Sequence, residues 1–126
     1  MSAKTVIFTA SILGALSVAI GAFGAHGMET TLQSNGRLET FETAVKYQFY
    51  HTIALLLLGI LMLNMENHYF QWAYYSFLAG IVVFSGSLYT LSLTNITWLG
   101  AITPIGGVGF ILGWVFLGLG VWNAKP

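Results

Sequence analysis

The chain has 126 residues, 56% hydrophobic and 6% charged, with a formal net charge of zero and no cysteine. Soluble domains carry about 25% charged residues, so a water-soluble globule is excluded, and neutrality leaves no electrostatic basis for a nucleic-acid partner. Without cysteine there are no disulfides, thiolate nucleophiles or Cys-ligated metals.

The charged residues sit near the ends of four apolar runs and never within them. That distribution marks a polytopic membrane protein. The first run, 5–25, follows Lys4 and ends in small residues, as a signal peptide does. It exceeds the roughly 7–15 residues of a signal-peptide core and reaches the roughly 20 needed to cross a bilayer. A retained first helix is therefore expected. The connection 26–43 is the only long one. Asn35-Gly36 within it signals a turn. From there Leu38, Phe41, Val45 and Phe49 recur at helical spacing, which predicts a second helix over 38–63 that begins at the interface.

A short polar connection leads to the third helix, expected over 72–93. A tight hairpin at Thr94-Asn95 leads to the fourth, over 98–122. Thr103-Pro104 reads as a helix N-cap followed by a first-turn proline, so the fourth helix should start with a kink or an interruption. Trp72, Tyr74, Tyr75, Trp98 and Trp122 stand at run ends, where amphipathic rings meet the headgroups.

Short connections place successive helices side by side and antiparallel. The expected fold is all-α: an up-down bundle of four transmembrane helices in one integral membrane domain covering 1–126. Small residues recur seven apart: Gly14 and Gly21, Thr52 and Gly59, Gly80 and Ser87, then Gly106, Gly113 and Gly120. Helices in lipid associate where small residues let backbones approach, so these read as glycine-rich packing seams. One of them could equally receive a second copy of the chain or another membrane protein. Beyond the bilayer itself, these are the expected partners.

The hairpin rule also sorts the polar residues. His26 ends helix one, Tyr47, Gln48 and His51 open helix two, Ser85, Ser87 and Tyr89 close helix three, and Thr103 opens helix four. All fall in one leaflet. Tyr47 and His51 share a stripe on helix two with Gln48 on the next, so the three can converge on the bundle interior. Polar groups inside a membrane face partners or cavities. His51 has two main readings: a neutral imidazole bridging to Ser85, Ser87 or a backbone carbonyl, or part of a small-solute or proton path through an oligomer. A catalytic zinc site needs three protein ligands, and His26 with His51 gives two. A Ser–His pair with Ser85 or Ser87 lacks an acid to orient the imidazole. No catalytic residue, metal site or cofactor is expected. The function read from the residues is a structural or accessory membrane protein with a polar cluster in one leaflet, with transport by an oligomer as the alternative.

Four motifs now stand together: Gly21-Ala22-Phe23-Gly24-Ala25-His26, Tyr47-Gln48-Phe49-Tyr50-His51-Thr52, Phe84-Ser85-Gly86-Ser87-Leu88-Tyr89 and Thr103-Pro104-Ile105-Gly106-Gly107. In order and spacing they resemble the YgdD/YwdK type of small four-helix bacterial membrane proteins of unknown function. The resemblance spans essentially the whole chain. It implies a multi-pass protein of the plasma membrane that keeps helix one, and it assigns no role to the motif residues. Orientation rests on positive charge: Lys4, Lys125 and the amino group on one side face Arg37 and Lys46 on the other, and the short loops tip the balance to cytoplasmic termini.

Overall fold

The structure is a computed structural model and describes residues 1–125. Four helices are long and apolar enough to cross a membrane: α1 (Ala3–Gly27), α3 (Leu38–Leu61), α4 (His68–Thr94) and α5 (Thr97–Asn123). Between the first two lies a short helix, α2 (Glu29–Ser34), which the sequence patterning did not single out. Its exit is the Asn35-Gly36 turn, where Gly36 takes the left-handed backbone conformation (φ +66°) that costs a glycine nothing. Asn35 then reaches across to donate through Nδ2 to the carbonyl of Ser92 (3.0 Å), and Arg37 Nε donates to Asn95 Oδ1 (3.0 Å). The α1–α3 connection is thereby tied to the α4–α5 hairpin. In that hairpin Asn95 itself is left-handed (φ 56°).

α3 and α4 are the central pair. Along the most apolar stretch of each, 44% of residues are buried, against 17% along α1 and 22% along α5. α1 packs on α3 and α5 packs on α4, so the outer two helices present broad apolar faces to lipid.

Both outer contacts are antiparallel seams stepping by seven residues. On the α1–α3 seam, Ile7 lies against Gly59, Gly14 against Thr52, and Gly21 against Val45. On the α4–α5 seam the pairing is glycine against phenylalanine. The rings of Phe70 and Phe77 cover Gly120 and Gly113, the backbone of Phe84 lies against Gly106, and the ring of Phe110 crosses the other way to cover Gly80. A ring seated on a glycine fills the groove that the missing side chain leaves, and the two backbones can approach. The apolar core runs from Val6 and Ala10 through Leu55, Leu58 and Phe77 to Phe110.

Two of the spanning helices contain a wide, π-helical turn, at Ala19–Gly24 in α1 and at Ile81–Ser85 in α4. Such turns insert a residue and redirect the side chains beyond it. α5 opens with a 3₁₀ turn, Thr97–Ala101, before the α-helix proper begins at Thr103. The interrupted start is therefore real. The capping role expected of Thr103 is not: Thr103 lies inside the first turn and its side chain caps nothing.

Candidate functional site

The polar residues of the shared leaflet fall into three bonded groups around α3. Gln48 is 4% exposed in a hydrocarbon-depth position, so both ends of its amide need partners. Tyr89 of α4 donates its hydroxyl to Oε1 at 2.5 Å, and Nε2 donates to the carbonyl of Leu13 in α1 at 3.3 Å. One side chain thus joins three helices. The Tyr89 ring is held in place by tilted packing on Phe41 (5.5 Å between centroids). The Leu13 carbonyl also accepts from Ser17 Oγ at 2.8 Å.

The second group is centred on His51, 6% exposed. Trp114 of α5 donates Nε1–H to His51 Nε2 at 3.1 Å. Nε2 is therefore an acceptor, the proton sits on Nδ1, and Nδ1 donates to the Tyr47 carbonyl at 2.8 Å. The imidazole is neutral with both nitrogens engaged. Its face lies flat on Phe110, 3.6 Å between centroids and 8° between planes. The bridge expected from His51 to Ser85 or Ser87 is not what forms. A tryptophan on the fourth helix, which no motif singled out, takes that place. Trp114 lies one turn from Phe110 on α5, and that spacing is the only sequence signal that pairs it with the His51 stack.

The third group belongs to the end of α4. Residues two apart on a helix point to nearly opposite sides, so Ser85 and Ser87 serve different neighbours. Ser85 Oγ donates to the Ala44 carbonyl of α3 at 2.8 Å. Ser87 Oγ meets Thr103 Oγ1 of α5 at 2.7 Å and donates to its own Phe84 carbonyl at 3.0 Å. Here lies the actual work of Thr103.

Of the eight residues expected in the cluster, six are in these bonded groups: Gln48, His51, Ser85, Ser87, Tyr89 and Thr103. Tyr47 joins by its carbonyl, while its ring is 39% exposed and stacks on Phe84 (4.6 Å between centroids) at the lipid boundary. Its side chain does not converge on the interior, because Phe84 and Phe110 fill that space. His26 is exposed at the end of α1, away from the cluster. Tyr74, expected at the interface, is buried instead, with its hydroxyl on Thr9 Oγ1 at 3.0 Å. Trp72, Tyr75, Trp98 and Trp122 are exposed, as interfacial rings are.

The best-formed clefts lie elsewhere. One of about 550 Å³ lies by the termini beside Met62, Met65 and His68, one of about 480 Å³ adjoins it at Asn64 and Lys125, and one of about 240 Å³ faces lipid between α1 and α3. Among the described residues no three His, Asp or Glu side chains come together in a way that could hold a metal ion.

Four apolar spanning helices, antiparallel in sequence order and tied by interhelical polar bonds, define a multi-pass integral membrane protein of the cell membrane. Comparison with known proteins supplies the family. Residues 20–107 match the family described as "Protein of unknown function (DUF423)", and the chain belongs to it. It is 36% identical over 127 residues to the UPF0382 inner membrane protein YgdD of Escherichia coli K12, covering 99% of this chain and 95% of that one. The UPF0382 membrane protein YwdK of Bacillus subtilis is 42% identical over 115 residues, covering 90% and 93%. The UPF0382 membrane protein SAB0533 of Staphylococcus aureus is 49% identical over 110 residues, covering 84% and 88%. No solved structure matches the chain.

Proposed function

We propose that the protein is a structural or accessory component of the cell membrane, with its polar cluster serving as interhelical bonding rather than as a solute path. The observation that carries this reading is the satisfaction of the cluster. His51 has both ring nitrogens engaged and Gln48 both ends of its amide. A relay residue needs a free acceptor or donor facing a water-filled space. The three clefts do not reach His51, and the opposite leaflet offers mainly apolar side chains. This reading gives the chain no catalytic role. It also keeps the termini in the cytoplasm, on the side of Lys4 and Lys125. A reporter fused after Pro126 and active only outside the cytoplasm should stay silent; activity would reverse the orientation.

The function test uses His51→Ala, His51→Gln and Trp114→Phe. Interhelical bonds in membranes contribute about 0.6 kcal/mol on average and up to about 1.7 kcal/mol. His51→Ala also removes the ring stacked on Phe110, so it should lower thermal stability most. His51→Gln, which can still accept from Trp114, should recover part of the loss, and Trp114→Phe should lose only the bond. The wild-type protein in liposomes should carry no pH-dependent flux. A flux that both His51 variants abolish without loss of stability would sink this reading in favour of a conduit.

A further inference from the structure

Three of the four methionines of this chain, Met1, Met62 and Met65, line one cleft. Its volume is about 550 Å³, and it shares no residue with the polar cluster around His51 and Gln48. It lies at the end of the bundle where the α3–α4 connection meets both terminal segments, Glu66 pairing there with Lys125 through the backbone. Met62 and Met65 also wall the adjoining cleft. Both pack in part on the apolar core, a contact that leucine of similar volume makes as well. Packing alone therefore does not account for thioethers gathered at an opening shared with Asn67, His68 and Gln71.

The backbone brings the sulfur-bearing residues onto one turn. The winding of α3 continues past Leu61: Met62 N–H donates to the Leu58 carbonyl and Met65 N–H to the Leu61 carbonyl, both at 3.0 Å. Residues three apart on such a turn have Cβ atoms about 5–6 Å apart, close enough for two flexible thioether side chains to hold one ion. Three residues further on, Asn67 Oδ1 accepts from Tyr69 N–H at 3.0 Å and caps α4. That cap fixes His68 as the first residue of the helix. Its ring packs against Tyr69 (4.3 Å between centroids) and edge-on to Trp72 (5.2 Å). The imidazole is thus oriented by its neighbours, and it is exposed, which leaves its nitrogens open to a ligand.

The donor set selects the ion. Thioethers bind soft ions, and imidazole suits copper, so two thioethers with one imidazole match copper(I). Zinc takes thiolate, imidazole or carboxylate, commonly four of them, and among the described residues no three His, Asp or Glu side chains come together. We propose that Met62, Met65 and His68 form a binding site for copper(I) at the membrane surface. Glu66, exposed on the same cleft, offsets the single positive charge of the ion. The site is independent of the interhelical bonding around His51.

Silver(I) is the probe, since it shares the charge and ligand preference of copper(I) and does not change oxidation state. Titrated by calorimetry into the full chain in detergent, without a histidine tag, it should bind one ion per chain. Met62→Leu, Met65→Leu and His68→Ala should each weaken binding by about tenfold or more. Met28→Leu, between α1 and α2 where the side chain lies against Gly24, should leave it unchanged. Leucine conserves the volume of methionine, so the metal-free melting temperatures of the methionine variants should match the wild type. Silver(I) should raise the melting temperature of the wild type by mass action and leave that of the Met62→Leu/Met65→Leu double variant where it is. The proposal fails if the wild type takes up no silver(I), if the double variant binds it as tightly as the wild type, or if zinc(II) binds more tightly than silver(I). A loss of affinity in Met28→Leu equal to that in Met65→Leu would mean unspecific capture by thioethers and would equally overturn it.

Discussion

Gly106→Ala is expected to destabilise the bundle by about 1–3 kcal/mol, the range for a side chain forced into a filled site. Gly118→Ala, on the same helix, should be neutral or slightly stabilising. Both add one methyl group to α5. At Gly106 that methyl would overlap the backbone nitrogen and Cα of Phe84, which no rotamer change can move. At Gly118 there is open space, and alanine's better helix propensity contributes up to about 1 kcal/mol. Gly113→Ala should fall between the two, because the methyl meets the ring of Phe77, which can tilt at the cost of its packing on the core. Unfolding by heat or sodium dodecyl sulfate, followed by circular dichroism, orders the three variants. Equal effects at Gly106 and Gly118 would mean that the α4–α5 approach is looser than described.

The same seam shows what could be read in the sequence. The glycines at 106, 113 and 120 were legible as a packing row because small residues at heptad spacing have few other uses in a membrane helix. Their partners were equally regular. Phe70, Phe77 and Phe84 step by seven along α4, but large apolar residues are so common in such helices that their period carries little signal. Only the antiparallel pairing turns two ordinary rows into one interface. The four spans and their up-down order followed from charge-free length and from short connections. The short helix α2 did not, because a six-residue segment with one apolar side chain, Leu32, has no hydrophobic period to detect.

For the site, depth was legible and direction was not. The hairpin rule grouped Gln48, His51, Ser85, Ser87, Tyr89 and Thr103 towards one end of the bundle, and each of them takes part in a cross-helix bond. Which bond each makes depends on helix rotation, and rotation is set by packing. Phe110, seated over Gly80, brings an aromatic face against His51, and Trp114 one turn on supplies the donor. Tyr47 is displaced to the lipid edge by the same rings. The wide turn at Ile81–Ser85 adds to the difficulty, since a regular 3.6-residue helix drawn through α4 misplaces every side chain beyond it.

Gln48 is the point at which the polar bonding can be measured most directly. Gln48→Leu removes the acceptor of Tyr89 and the donor to Leu13, joining α4 and α1 to α3. A buried group left without its partner costs about 1–3 kcal/mol. Leu13 is partly compensated, because its carbonyl keeps the bond from Ser17. The main loss is therefore the orphaned Tyr89 hydroxyl. Tyr89→Phe makes the complementary orphan, Gln48 Oε1, and should cost a similar amount. Removing both partners leaves neither group unsatisfied on that side, so the double variant should be more stable than the sum of the singles predicts, by about 1 kcal/mol. Thermal unfolding of the four proteins in one detergent gives the cycle. Strict additivity would mean that Gln48 and Tyr89 act independently. The three-helix junction would then hold by its apolar contacts alone, and the case for the cluster as interhelical bonding would rest on His51 and Trp114.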